Sequence, residues 1–161
     1  MQKSARSEES NAARAHLHAL LRPEAIRLLS GDTKPAVLQE LVETMGPVFG
    51  FKDFDLLNEA IFRREELMST GIGLGIAVPH VRLAGVGEMM VVLGVQPDGV
   101  ADYDSIDGAP VNLIVMIVAG EGQHAEHLKL LATIVTALKD DALRSRILKA
   151  ASPEEIHELL N

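Results

Sequence analysis

Cysteine is missing from the 161 residues, so no disulfide, thiolate nucleophile or Cys-ligated metal centre is available. Aromatic residues make up only 3% of the chain, and the core is therefore aliphatic. Positive charge is in deficit: 15 Lys and Arg face 23 Asp and Glu, for a net charge of -8. That balance argues against nucleic acid or anionic lipid as a partner, since both attract through excess cations. The longest uninterrupted apolar run, Leu113 to Ala119, is too short to cross a bilayer. The N-terminus has no apolar centre of a secretory signal, and Glu8 and Glu9 do not suit a transit peptide. The expectation is a soluble cytoplasmic protein that binds no nucleic acid and inserts into no membrane.

What is present suits one compact core: 47% apolar and 24% charged residues are ordinary globular values, and the length favours a single domain. Residues 1–19, rich in Ala, Ser, Arg and Glu, read as a flexible tail or frayed helix preceding a domain over 20–161. His16 and His18 in that extension have no carboxylate cluster nearby and are not expected to bind metal. The run Ala25 to Ser30 reads as a first strand or as a continued helix. Asp32 or Thr33 caps a helix carrying Val37, Leu38, Leu41, Val42 and Met45, with Gly46-Pro47 expected to end it.

A second helix starts near Asp53, carries Leu56, Leu57, Ala60, Ile61 and Leu67 or Met68 on one side, and stops before Gly71 with Arg64 in its last turns. Met89 to Val95 reads as a strand ended by a Pro97-Asp98-Gly99 turn. Asp107-Gly108 makes another turn before Val111 to Val118, which is apolar at nearly every position. A strand of that kind is covered on both faces, which predicts an α/β/α sandwich. A helix from Gln123 to Leu138 is expected to bury Leu128, Leu131, Val135 and Leu138, with His124 and His127 in the same sector and aimed at the sheet. Asp140 or Asp141 caps a short helix, and Ser152-Pro153-Glu154-Glu155 opens the last one.

The chemistry centres on His80. Gly71, Gly73 and Gly75 alternate with Ile72, Leu74 and Ile76, permitting close backbone approach or positive φ. They do not make a phosphate-binding P-loop, because no Lys-Ser/Thr follows and no helix opens after them. Pro79 fixes the backbone ahead of His80, and an imidazole held this way can be a nucleophile, a general base or a metal ligand. Toward phosphorus, such a nucleophile needs a guanidinium, hydroxyls or a second imidazole around the phosphoryl oxygens. Arg64, Ser69, Thr70 and His127 offer those groups. A metal site of His80, His124 and His127 would lack a carboxylate ligand, and none is expected.

The segment Arg64-Glu65-x-x-x-Ser69-Thr70-Gly71-Ile72-Gly73-x-Gly75-Ile76-Ala77-Val78-Pro79-His80 resembles the phosphorylation-site signature of fructose/mannitol/nitrogen-type enzyme IIA domains of the bacterial phosphoenolpyruvate-dependent phosphotransferase system. Asp107-Gly108-x-Pro110-Val111 and Glu126-His127-Leu128 resemble the second half of that family, and the likeness covers roughly residues 20 to 160. The resemblance implies a three-layer α/β/α sandwich with a mixed central β-sheet. It further implies that His80 accepts a phosphoryl group from an HPr-type phosphocarrier protein and passes it to an enzyme IIB domain. Arg64 would stand near the phosphate and His127 would be the second active-site histidine, with Ser69 or Thr70 adding a hydroxyl; no cofactor or metal is implied. A nitrogen-type regulator, whose phosphorylation state switches binding to regulatory target proteins, is the alternative. The residue after the active histidine is usually small in this family, whereas here it is Val81, which is expected to narrow the mouth of the site.

Overall fold

A computed structural model describes residues 2–161. Its strands are β1 (Ile26–Leu28), β2 (Gly71–Gly73), β3 (Ile76–Ala77), β4 (His80–Leu83), β5 (Met90–Val100) and β6 (Val111–Gly120). They form one sheet in the order β1-β5-β6-β3-β2, with β4 also paired to β6. The sheet is mixed: β1 runs parallel to β5, β5 antiparallel to β6, and β3 and β4 parallel to β6. The helices are α1 (Gln2–Leu20), α2 (Lys34–Phe49), α3 (Phe54–Leu67), α4 (His124–Leu138), α5 (Asp141–Lys149) and α6 (Pro153–Leu159).

β6 explains the layering. Every residue from Leu113 to Gly120 is buried, as is every residue of β5 from Met90 to Val95, so both faces of the sheet centre are covered. Helices α2 and α3 pack on one another and reach β5 and β4, while α1 lies on α4, and α4, α5 and α6 reach β6, β5 and β1. This is the three-layer α/β/α sandwich with a mixed sheet. Gly94 shows how closely α2 is seated: a Cβ there would stand 2.9 Å from methyl carbons of both Leu29 and Leu41.

Several boundaries differ from the sequence expectation. The helix expected to stop at Gly46-Pro47 runs on to Phe49 and ends at Gly50, whose φ of 68° is left-handed and whose N–H reaches the Gly46 carbonyl at 2.8 Å. Pro47 removes one hydrogen bond near the end of the helix, where the partly buried Val48 and Phe49 still gain contact with the core. Pro97-Asp98-Gly99 does not end β5; it forms an irregularity within it, between pairs Val95 with Leu113 and Val100 with Val111. On α3 the buried positions are Leu57, Ile61 and Glu65, a single narrow line at four-residue spacing, so Leu56, Leu67 and Met68 are 46%, 80% and 71% exposed.

On α4 the buried line is His127, Leu130, Ile134, Ala137 and Leu138, leaving Leu128 and Val135 exposed. Apolar residues surround much of this helix, so angular position alone does not single out the buried side. Residues 2–20 form α1, which buries Ala13 and Leu17. His18 stacks on His157 with ring centroids 4.0 Å apart.

Candidate functional site

The site begins with a tight hairpin. Between β2 and β3, Leu74 and Gly75 have φ of 59° and 75°, the double positive φ of a turn that matches strand twist. Leu74 is the lone non-glycine residue with positive φ among those described. Its N–H donates to Asp107 Oδ2 at 2.9 Å, and Ala109 N–H donates to the other carboxylate oxygen at 3.1 Å. These backbone donors hold the Asp107 carboxyl below its ordinary pKa. Gly71 permits the hairpin to touch the loop before β6: a Cβ there would lie 2.2 Å from the Asp104 carbonyl oxygen.

β3 and β4 lie end to end along one edge of β6, pairing respectively with Leu113–Ile114 and with Ile117–Gly120. Val78-Pro79 interrupts them, and Pro79 has no N–H to donate to the ladder. His80 stands where the ladder resumes. Its Nδ1 lies 2.7 Å from the carbonyl oxygen of its own neighbour Val78. A carbonyl only accepts, so Nδ1 carries the proton and Nε2 keeps its lone pair.

The His127 ring meets His80 edge to face, with centroids 4.9 Å apart and planes at 68°. His127 is 6% exposed, and its buried Nε2 has no hydrogen-bond partner. Burial first, and then the neighbouring His80, Arg82 and His124, depress its pKa and favour the neutral ring. A buried imidazole nitrogen without a partner is costly unless a ligand pairs with it.

Arg64 closes the other side. It lies in the last turn of α3, and its Nη1 donates to the Met68 carbonyl at 2.9 Å. Arg64, His80 and His127 share an open cleft of about 660 Å³, together with Arg82 and Glu121. A second hollow of about 500 Å³ also has Arg64 and His80 in its lining, and is otherwise walled largely by apolar groups such as Met68, Ile72, Ile106 and Val135.

The hydroxyls expected beside the phosphate are engaged elsewhere. Ser69 Oγ donates to the Asp104 carbonyl at 2.6 Å. Thr70 is buried, and its Oγ1 bonds to Glu65 and lies 2.8 Å from the Tyr103 hydroxyl. Glu65 also accepts from Tyr103 at 2.9 Å and pairs with Lys34 at 2.9 Å, so Thr70 anchors the hairpin to α3 and α2 through a buried network. Burial and the Glu65 charge together push the Tyr103 phenol far above its ordinary pKa.

Three further placements refine the sequence reading. His124 does not point at the sheet; it is exposed and meets Arg82 at 3.3 Å. Val81 alternates with His80 along β4 and is 9% exposed, and it still contributes to the lining of the cleft that holds His80. Arg82 was not singled out by sequence, although its position two residues past His80 in a strand places both on one face. Among the described residues no group of three or more His, Asp or Glu is arranged to hold a metal ion, and no helix is long and apolar enough to cross a membrane.

Comparison with known proteins gives a consistent neighbourhood. The family model "Phosphoenolpyruvate-dependent sugar phosphotransferase system, EIIA 2" matches residues 19–161. A fructose-specific EIIABC component from Bacillus subtilis is 37% identical over 143 residues, covering 88% of this chain but only 22% of that longer protein. A nitrogen regulatory protein from Bradyrhizobium diazoefficiens is 33% identical over 142 residues, covering 88% of this chain and 92% of its own. Among solved structures, nitrogen regulatory protein IIA-Ntr from Neisseria meningitidis superposes with a TM-score of 0.80 at 27% identity, covering 90% of this chain and 99% of its own. The mannitol enzyme IIA of Escherichia coli, solved in complex with phosphorylated enzyme IIB, superposes with a TM-score of 0.69 at 26% identity, covering 87% of this chain and 96% of its own.

Proposed function

This chain belongs to the EIIA 2 family of the phosphoenolpyruvate-dependent sugar phosphotransferase system, and from that premise we propose that it carries a phosphoryl group on His80 Nε2. The donor is an HPr-type phosphohistidine protein, and the acceptor an enzyme IIB domain. The observation that carries this reading is the 2.7 Å bond from His80 Nδ1 to the Val78 carbonyl, which leaves Nε2 as the ring's nucleophilic nitrogen.

The Nε2 lone pair attacks phosphorus in line while the phosphorus–nitrogen bond to the donor imidazole breaks and its electron pair returns to that ring. The donor ring leaves neutral. His80 keeps its Nδ1 proton and takes up the positive charge, which the Val78 carbonyl is placed to stabilise. His127 Nε2, now without a partner, can donate to a phosphoryl oxygen if the ring's proton sits there, and Arg64 supplies charge on the other side. Such transfer rests on positioning and electrostatics and needs no metal of its own. The apolar hollow beside His80 suits a protein partner that buries apolar surface next to its own phosphohistidine. Ser69 adds a donor if its hydroxyl leaves the Asp104 carbonyl; Thr70 serves by holding the hairpin.

The test is incubation with phosphoenolpyruvate, enzyme I and HPr, followed by mass spectrometry. The parent gains one phosphoryl group, mapped to His80, and His80→Ala gains none. Equal labelling of the variant would refute the assignment.

A regulatory role is the second reading, favoured by the nitrogen regulatory relative that aligns over 92% of its own length. In that role the charge placed on His80 changes the surface offered to a target protein. Pull-down with phosphorylated and unphosphorylated chain distinguishes the two, because a switch captures its target in one state and a pure carrier does not.

A further inference from the structure

Two residues past His80, Arg82 projects from the same face of β4 into the same cleft. It is exposed, and among the described residues it has no carboxylate partner. Its Nη1 instead lies 3.3 Å from Nδ1 of His124, the first residue of α4. A guanidinium only donates, so His124 Nδ1 accepts and that ring carries its proton on Nε2. Arg82 is close enough to His127 to help depress its proton affinity, after burial and His80.

The resting contact is weak. It is long for a hydrogen bond, solvent-exposed, and made to a neutral acceptor. A phosphoryl group on His80 would introduce about two negative charges and three strong acceptor oxygens within the same cleft. Arg64 balances one of those charges. A guanidinium exchanging a neutral imidazole for a phosphoryl oxygen gains a shorter, charge-assisted and potentially bidentate bond.

We propose that Arg82 is a second phosphoryl clamp, resting on His124 in the unphosphorylated chain and drawn onto the phosphoryl oxygens when His80 is phosphorylated. This rests on the reading that His80 carries the phosphoryl group. Arg64 and Arg82 then bracket the group with a total charge matching its own, which favours the phosphorylated chain in exchange with its donor and shields phosphorus from water. His124 Nδ1 is released in the same step, so the first turn of α4 presents a different surface in the two states.

The experiment uses the full chain with Arg82→Gln and Arg82→Lys variants, each phosphorylated by phosphoenolpyruvate, enzyme I and HPr. Phosphoryl occupancy of His80 is followed by mass spectrometry at equilibrium with phospho-HPr, and its loss is followed after HPr is removed. Arg82→Gln is expected to shift the equilibrium toward the donor by about tenfold and to hasten loss by a comparable factor, while Arg82→Lys recovers part of both. Thermal unfolding stays unchanged, since the side chain is exposed. Nitrogen NMR of His124 supplies a readout that a structural role would not move: in the parent, phosphorylation shifts Nδ1 to the position it already holds in unphosphorylated Arg82→Gln. A parent that is phosphorylated on His80 while Arg82→Gln matches its equilibrium and loss rate overturns the clamp alone. A parent that takes no phosphoryl group on His80 overturns both the clamp and the carrier reading.

Discussion

The Nδ1 atom of His80 donates to the carbonyl oxygen of Val78, two residues earlier in the chain, across 2.7 Å. The Pro79 carbonyl accepts from the Ile117 N–H of β6 at 2.9 Å, and the alternation of an extended chain turns the preceding Val78 carbonyl away from β6, where the His80 ring meets it. One short backbone contact thereby fixes both the tautomer and the orientation of the candidate nucleophile. The expected outcome is phosphorylation at Nε2 alone. Nitrogen NMR of the phosphorylated chain checks it: phosphorus coupling appears on Nε2, while Nδ1 keeps its proton and its bond to Val78. Coupling on Nδ1 would mean that this contact breaks before transfer.

His127 carries a prediction on both rate and pH. In the proposed role, replacing it with Gln removes the imidazole that would donate to the phosphoryl group, and loss of about 100-fold in transfer rate is expected from rapid-quench measurements. Its folded pKa is depressed, chiefly by burial and then by His80, Arg82 and His124. The unfolded chain therefore takes up this proton first as pH falls below the ordinary histidine value of about 6.5. Stability contributed by neutral His127 is complete above that value and lost as pH drops through the folded pKa. Thermal unfolding of the parent should weaken from about pH 7 to pH 5, and His127→Gln should weaken less over the same window. Equal slopes would show that the ring is not held neutral.

Gly71→Ala tests the hairpin. The added Cβ would meet the Asp104 carbonyl oxygen at 2.2 Å and Ser105 Cα at 2.9 Å, both backbone atoms that cannot rotate away. Destabilisation of about 3 kcal/mol is expected in urea titration, with loss of phosphoryl acceptance in the fraction that remains folded. A variant as stable and as active as the parent would show that the hairpin has room to retreat from the loop before β6.

Much of this arrangement is legible in the sequence because it is local. The glycine spacing from Gly71 to Gly75 announces a turn, Pro79 announces a break, and Leu113 to Ala119 can only be a strand covered on both sides. The motif carries His80 and Arg64 with it. What sequence does not display is which of several apolar sides a helix buries. The helical period picks out Leu128, Leu131, Val135 and Leu138, whereas the docking of α4 on β6 and α1 buries Leu130 and Ile134 and leaves Leu128 and Val135 exposed. The same limit applies to hydroxyls: Thr70 reads as a phosphate ligand until Tyr103, 33 residues away, is found bonded to it. Arg82 was visible in principle, since strand alternation puts it beside His80.

Glu65 should prove the costliest side chain to remove outside the core. Its carboxylate is 3% exposed and is held by Lys34, Thr70 and Tyr103, so it ties α3, α2 and the hairpin together immediately beside Arg64. Glu65→Ala leaves Lys34 facing a buried gap and is expected to cost about 3–5 kcal/mol in urea unfolding. Glu65→Gln keeps the shape but not the charge and should fall between. A loss under about 1 kcal/mol for Glu65→Ala would mean that water replaces the carboxylate without penalty.

Tyr103 allows that network to be read optically, because it is the single tyrosine in a chain without tryptophan. The phenol is buried and lies near the Glu65 carboxylate, and each of these two effects resists ionisation more than the bond to Thr70 assists it; its donation to Glu65 adds a smaller resistance. Folding therefore raises its pKa above the ordinary value of 10.0. The resulting stability is complete below that value and is lost as pH rises above it, since the unfolded chain releases the proton first. An alkaline titration should show no tyrosinate absorbance at the ordinary pKa, and its later appearance should coincide with loss of helical circular dichroism. In Glu65→Gln the charge repulsion is gone, so ionisation should begin at lower pH while the helices persist. Tyrosinate forming near its ordinary pKa in the folded parent would place water at the phenol and dissolve the argument that this network anchors the hairpin bearing the site.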